Sequence, residues 1–195
     1  KTMSFYEKSL QTLELPAVLQ MLAGEAVSSG AKERALALSP TAEEALLRRR
    51  LEETDAAKSM MVVRGSPSFQ GIKDVRPALQ RADMGGALNT RELLDIAALL
   101  QCARLVRGYI ADDRVGKTCI DHIFNGLRAN RFLEEKISTC IPAEEEIADS
   151  ASPELQNIRR QMRAAAARAR DALQKIISSP SYQKALQEPI ITMRS

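Results

Sequence analysis

A chain of 195 residues, 45% of them hydrophobic, carries enough apolar matter for one domain, or one domain with an extended appendage, which excludes a disordered segment. Its 28 basic and 25 acidic side chains leave a net charge of only +3, so global charge singles out no partner. Aromatic residues are 4%, Trp is absent, and Ala, Leu, Glu, Arg and Gln abound, which favours helices over sheets because these side chains lose little entropy in a helix. The predicted fold is all-α, a multi-helix core with one long coiled-coil-like helix and a short strand at the C-terminal end.

Pro16 suits a first helical turn, and Val18, Leu19, Leu22 and Ala26 recur on one face until Ser28-Ser29-Gly30 interrupts. A short helix from about Lys32 to Leu38 ends before Pro40. Thr41 with Glu44 reads as a capping box opening a long helix to about Val63. Arg64 to Gly71 has the Gly and Pro density of a loop, and Gly85-Gly86 closes a helix around Pro77 to Ala82. A second capping pair, Asn89 with Glu92, starts a helix that turns Leu93, Leu94, Ile96, Ala97, Leu100 and Leu105 inward. Ile110 to about Cys140 reads as one or two shorter helices with Ile120, Ile123, Phe124, Leu127, Phe132, Leu133 and Ile137 facing the core.

At Ser152-Pro153-Glu154 the character changes: Ser152 is a good N-cap, Pro153 fits the first helical position, and no Gly or Pro follows until Pro180. The apolar positions Leu155, Ile158, Met162, Ala165, Ala169, Ala172 and Ile176 alternate steps of three and four, the seam of a two-helix coiled coil. The outside is basic, with Arg159, Arg160, Arg163, Arg168, Arg170 and Lys175 against Glu154 and Asp171. This surplus of four exceeds the +3 of the whole chain. Beyond Ser178-Ser179-Pro180, Pro189-Ile190-Ile191-Thr192-Met193 has strand composition.

No catalytic or metal site is expected. Ala111 to Thr118 is a relaxed phosphate-loop pattern with Ala replacing the first Gly, but the residues before it are helical in pattern and Asp112 and Asp113 would repel a triphosphate, so it reads as a surface turn. His122 is the only histidine, which leaves a metal cluster or a triad without a second imidazole and makes it a structural or surface residue. The acidic clusters Glu52-Glu53, Glu134-Glu135 and Glu144-Glu145-Glu146 read as solvated faces and helix starts. Cys102, Cys119 and Cys140 are odd in number and widely spaced, so they read as reduced, mostly buried thiols. No apolar stretch approaches the roughly 20 residues a bilayer requires, and the N-terminus lacks signal-peptide character, so a cytoplasmic protein with no membrane partner is expected.

Several segments in order resemble the N-terminal part of the bacterial type II MutS proteins, a family of MutS-like ATPases. They are Leu13-Glu14-Leu15 with Val18-Leu19; Gly30-x-Lys32-Glu33-Arg34-Ala35; Glu52-Glu53-Thr54; Gly71-Ile72-x-Asp74-Val75-Arg76-Pro77-Ala78-Leu79 with Arg81-Ala82; and Glu92-Leu93-Leu94-Asp95-Ile96-Ala97. Downstream come Ile147-x-Asp149-Ser150-Ala151-Ser152-Pro153-Glu154-Leu155, Ile158-Arg159-Arg160, and Pro189-Ile190-Ile191-Thr192-x-Arg194, while the stretch Cys102 to Cys140 matches least. The resemblance implies a helical core over residues 1–150, a lever helix over 151–179 and the start of a clamp over 180–195. A returning lever helix, a dimeric ATPase and often a nuclease-like domain would follow outside this chain, and ATP and Mg²⁺ would bind there, with no cofactor here. It also implies a homodimeric whole protein without a mismatch-reading domain. The functions the resemblance implies are suppression of recombination through branched DNA, ATP-driven rescue of stalled, collided ribosomes, or both.

Two uses of the long helix follow. In one it transmits displacement between a distant ATPase and a clamp. In the other its basic residues contact nucleic acid, since arginines neutralise phosphates without reading sequence. An alternative outside the family is a free-standing helical adaptor that binds a partner helix through the Leu155 to Ile176 seam; within this chain the seam is expected either to dock on a second copy or to fold back on its own core.

Overall fold

The computed structural model describes residues 5–69, 71–111, 116–183 and 188. Among them the chain is all-α, with no strand; the expected strand at Pro189 to Met193 lies outside the described residues. The helices are α1 Phe5–Thr12, α2 Leu15–Glu25, α3 Ser29–Leu36, α4 Glu44–Arg64, α5 Arg76–Asp83, α6 Thr90–Tyr109, α7 Asp121–Asn125, α8 Arg131–Cys140, α9 Pro153–Ser178 and α10 Pro180–Gln183. A 3₁₀ turn, Asp149–Ala151, immediately precedes the Ser152 cap of α9. Two compact units result, one of Lys1–Ser138 with Ala143–Glu145 and one of Thr139–Pro142 with Glu146–Ser195.

The local signals for helix starts divide in an informative way. At α6 the Asn89 carboxamide accepts from the Glu92 amide and the Glu92 carboxylate accepts from the Asn89 amide, each at 2.9 Å, so the predicted capping box is complete. At α4 it does not form. The Thr41 hydroxyl accepts from the Glu43 amide instead, which delays the helix to Glu44, whose carboxylate then pairs with Arg48 at 2.7 Å. Nor do Ser28-Ser29-Gly30 lie wholly between helices: Ser28 caps α3 by accepting from the Ala31 amide, so Ser29 and Gly30 are already helical.

In the first unit α1 packs on α2 and α2 on α3, while α6 meets α7. Met60 of α4, only 2% exposed, is the deepest large side chain, and Val75, Ala78, Ala97, Cys102, Val106, Ile120 and Ile137 are buried in the same unit. Four residues expected inside are exposed: Leu105, Ile123, Phe132 and Leu133. On α6 the buried positions run through Cys102 and Val106, and Leu105 is about 100° round the helix from Val106. On α8 they are Glu134 and Ile137; Phe132, about 140° from Ile137, faces outward under the Lys136 ammonium. Cys119 is exposed too, and Cys140 half-buried, so only Cys102 fits the expected buried thiol; burial raises its pKa.

Directional ties fix the helices to one another. The Tyr109 hydroxyl donates to the Gly65 carbonyl at 2.7 Å while Arg64 donates to the Tyr109 carbonyl at 2.5 Å and lies over its ring, which stacks on Phe124. Arg76 links α5 to α3 through Glu33 at 3.0 Å, and its side-chain bond to Asp74 holds that carboxyl down to about 2. Met60→Ala should destabilise the chain by about 3 kcal/mol through reduced burial and a residual cavity. Asn89→Ala, which removes one cap, should cost about 1 kcal/mol. Urea unfolding followed by helical circular dichroism measures both; equal costs would show that Met60 does not organise the interior.

Candidate nucleic-acid interface on the long helix

The base of α9 is built in three steps. The Ser152 hydroxyl accepts from the Leu155 amide at 3.1 Å, and Pro153 occupies the first turn, where a missing N–H costs no hydrogen bond. The preceding 3₁₀ turn then delivers Asp149, whose two carboxylate oxygens accept from two successive turns of α9: Oδ1 from Arg159 at 2.7 Å and Oδ2 from Arg163 at 2.9 Å. Arg159 also donates to the Ile147 carbonyl at 2.6 Å. The Arg159 bond first, then that of Arg163, lowers the Asp149 pKa below the usual aspartate value, outweighing desolvation.

The six candidate basic residues therefore differ in state. Arg159 and Arg163 are engaged with Asp149, and Arg160 donates to the Asn157 side chain at 2.9 Å. Arg168, Arg170 and Lys175 are exposed and have no ion-pair partner among the described residues. At about 100° per residue, Arg159, Arg163 and Arg170 fall within about 40° of one another, and Arg168 and Lys175 form a second stripe about 150° away from Arg170. The cations are thus two stripes on opposite flanks of the seam, with Arg160 between them on the back. A groove of about 310 Å³ lined by Pro153, Gln156, Asn157, Arg160 and Arg163 lies along the first turns.

Of the seam residues, Leu155 is half-buried, while Ile158 is 54% and Met162 64% exposed; Ala165, Ala169, Ala172 and Ile176 are exposed as well. Leu173, absent from the predicted seam, extends its edge, being about 40° from Met162's neighbour at Ala169 and 45% exposed.

Several of the remaining candidate groups are engaged by other groups of the chain. Thr118 of the phosphate-loop look-alike donates to Asp121 at 2.6 Å at the start of α7; its residues 112–115 lie outside the described residues. His122 is exposed, its Nδ1 2.8 Å from the Cys119 carbonyl oxygen. Glu53 pairs with Arg49, Glu135 with Arg131 and Glu144 with Arg91. Glu134 departs from the solvated reading: it is 7% exposed and takes two bonds from Arg104 of α6, at 2.7 and 3.0 Å, which lower its pKa. No three His, Cys, Asp or Glu side chains converge as metal ligands among the described residues, and no helix there is long and apolar enough to cross a membrane. Asp149 is the residue that reading the sequence for function missed. Its bonds, to arginines ten and fourteen residues along the chain, follow from the 3₁₀ turn and leave no periodic trace.

No protein-family model matches the chain. Curated proteins do: it is 42% identical over 190 residues to an Endonuclease MutS2 of Ruminiclostridium cellulolyticum, and 41% identical over 192 residues to that of Acetivibrio thermocellus. It is 34% identical over 192 residues to the Putative endonuclease MutS2 of Bacillus subtilis. These alignments cover 96–97% of this chain, which spans 24% of the length of each relative.

Because the folded Asp149 pKa is lowered, the stabilisation it provides is complete above the ordinary aspartate pKa and is lost as pH falls through the lowered value. Its carboxyl-carbon resonance should titrate below the ordinary value of 3.8, and replacing Arg159 and Arg163 by Gln should return the midpoint to the usual range. A midpoint that ignores both substitutions would mean that Asp149 does not grip α9 in solution.

Proposed function

The chain belongs to the MutS2 family, and on that premise we propose that it is the mechanical, non-catalytic part of an ATP-driven protein that acts on nucleic acid. In this reading residues 1–150 are a helical core, 151–179 a lever and 180–195 the start of a clamp. ATP and Mg²⁺ act elsewhere in a homodimeric protein. The observation that carries the reading is α9: 26 residues of uninterrupted helix, capped by Ser152 and anchored at the base by Asp149. A helix of that length transmits displacement because bending it disturbs many backbone hydrogen bonds together. Proline in its interior removes one such bond and kinks the axis. In a full-length MutS2 carrying this stretch, Ala167→Pro should reduce nucleic-acid-stimulated ATP hydrolysis to the unstimulated rate with ATP affinity unchanged, whereas Ala167→Glu should preserve stimulation. Stimulation that survives the proline would end the lever reading.

The lever is also proposed to touch nucleic acid. Branched DNA, as in suppression of recombination, and the rRNA of stalled ribosomes both present the phosphodiester backbone that arginine and lysine neutralise without reading sequence. Arg168, Arg170 and Lys175, without ion-pair partners among the described residues, are the readily available cations. Salt titrations of the chain against DNA and RNA duplexes should give weak, sequence-independent binding. Replacing these three by Gln should flatten the slope of log K against log salt by about 0.9 for each phosphate no longer neutralised; an unchanged slope would exclude α9 as the surface.

A second reading, an adaptor binding a partner helix or another copy of the chain, is favoured by the exposure of Ile158, Met162 and Ile176, an apolar row on the face opposite Arg160.

A further inference from the structure

Asp149 offers α9 an anion that two of its arginines share. Arg159 and Arg163 lie four residues apart on one flank of α9, and their guanidinium groups converge on a single carboxylate, one on each oxygen, at 2.7 and 2.9 Å. Convergent arginines of this kind bind carboxylate and phosphate oxygens by the same charge-assisted hydrogen bonds. Asp149 is held there from a 3₁₀ turn that touches α9 and immediately precedes its cap, so the anion is part of the structural base of the helix. The Arg163 side chain remains 64% exposed and that of Arg159 34%, so an incoming polyanion can reach Arg163 first.

We infer that Asp149 is an internal competitor for the phosphate backbone: it masks the Arg159–Arg163 pair, and nucleic acid that engages this stripe must displace it and release the 3₁₀ turn from α9. The inference rests on the nucleic-acid reading proposed for the same helix. With Asp149 in place the three side chains carry one net positive charge. Without it they carry two and extend in line to Arg170. Coupling is reciprocal, so whatever tightens the grip of Asp149 weakens binding, and bound phosphate loosens that grip. The consequence is specific to this end of α9, because Arg168 and Lys175 on the opposite flank have no such competitor among the described residues.

The test compares Asp149→Asn with Asp171→Asn in the 195-residue chain. Both remove one negative charge, but no ion pair joins Asp171 to an arginine among the described residues. Asp149→Ser serves as a second variant, and thermal unfolding confirms that each is folded. Affinity for fluorescein-labelled DNA and RNA duplexes is read by anisotropy at low salt, the two arms showing which backbone is preferred. Asp149→Asn should bind at least about fivefold tighter than Asp171→Asn, a coupling of ordinary size, and its log–log salt slope should steepen by about 0.9 for each further phosphate neutralised. The gain should vanish when Arg159 and Arg163 are also changed to Gln. In the unsubstituted chain, saturating duplex should speed hydrogen exchange at the Ala151 amide, which bonds to the Ala148 carbonyl at 3.0 Å. If the unsubstituted chain binds and the two Asn variants bind alike, the competitor is refuted while the nucleic-acid reading stands. If only Asp149→Asn binds, the competitor stands and the reading fails for the unsubstituted chain. If neither the chain nor any variant binds, both fail.

Discussion

Met60 is withdrawn from water more completely than any other large side chain among the described residues, and the other buried apolar positions are alanines, valines, isoleucines and one cysteine. Small side chains let helix axes approach, but each removes little apolar area and defines helix rotation poorly, since many registers bury an alanine about equally well. Orientation then falls to bonds with direction. The Arg64, Tyr109 and Gly65 group ties the C-terminal ends of α4 and α6, and Arg104 with Glu134 ties α6 to α8. Only the Glu134 side of that pair is buried, and losing Arg104 would strand its carboxylate, so the pair penalises packings that separate the two.

The same logic gives physical content to the stretches that carry the family resemblance. Glu33 and Arg76 belong to two of them and pair at 3.0 Å; Arg81, in the same stretch as Arg76, forms an ion pair with Glu92 of the next; Asp149 and Arg159 join another two at 2.7 Å. These motifs are fastenings between helices.

What was legible in the sequence was what short-range physics determines. The Asn89 and Glu92 box and the Ser152-Pro153 start could be read because each partner lies within one turn of the other. The Thr41 and Glu44 pair has the same spacing and fails, since a hydroxyl that bonds two residues ahead is as local as one that bonds three ahead, and spacing alone does not choose. The basic residues of α9 were legible as a set, and a helical wheel divides them into two stripes. Their division into engaged and available was not legible, because it depends on Asp149 arriving from a turn outside the helix. Glu134 was hidden for a similar reason: a carboxylate beside a second carboxylate reads as solvated until Arg104, thirty residues earlier, is brought against it.

The length of α9 has a geometrical consequence of its own. At 1.5 Å per residue its 26 residues measure about 39 Å, and the arm from Pro153 to Arg159, where Asp149 grips, is about 9 Å. The ratio of the two arms is about four. A shift of about 1 Å at the grip, less than the length of a hydrogen bond, corresponds to a tilt of about 6° and carries the far end at Ser178 through about 4 Å. A rearrangement at the base too small to break the Ser152 cap thus becomes, at the tip, a step comparable to the spacing between neighbouring strands of a sheet.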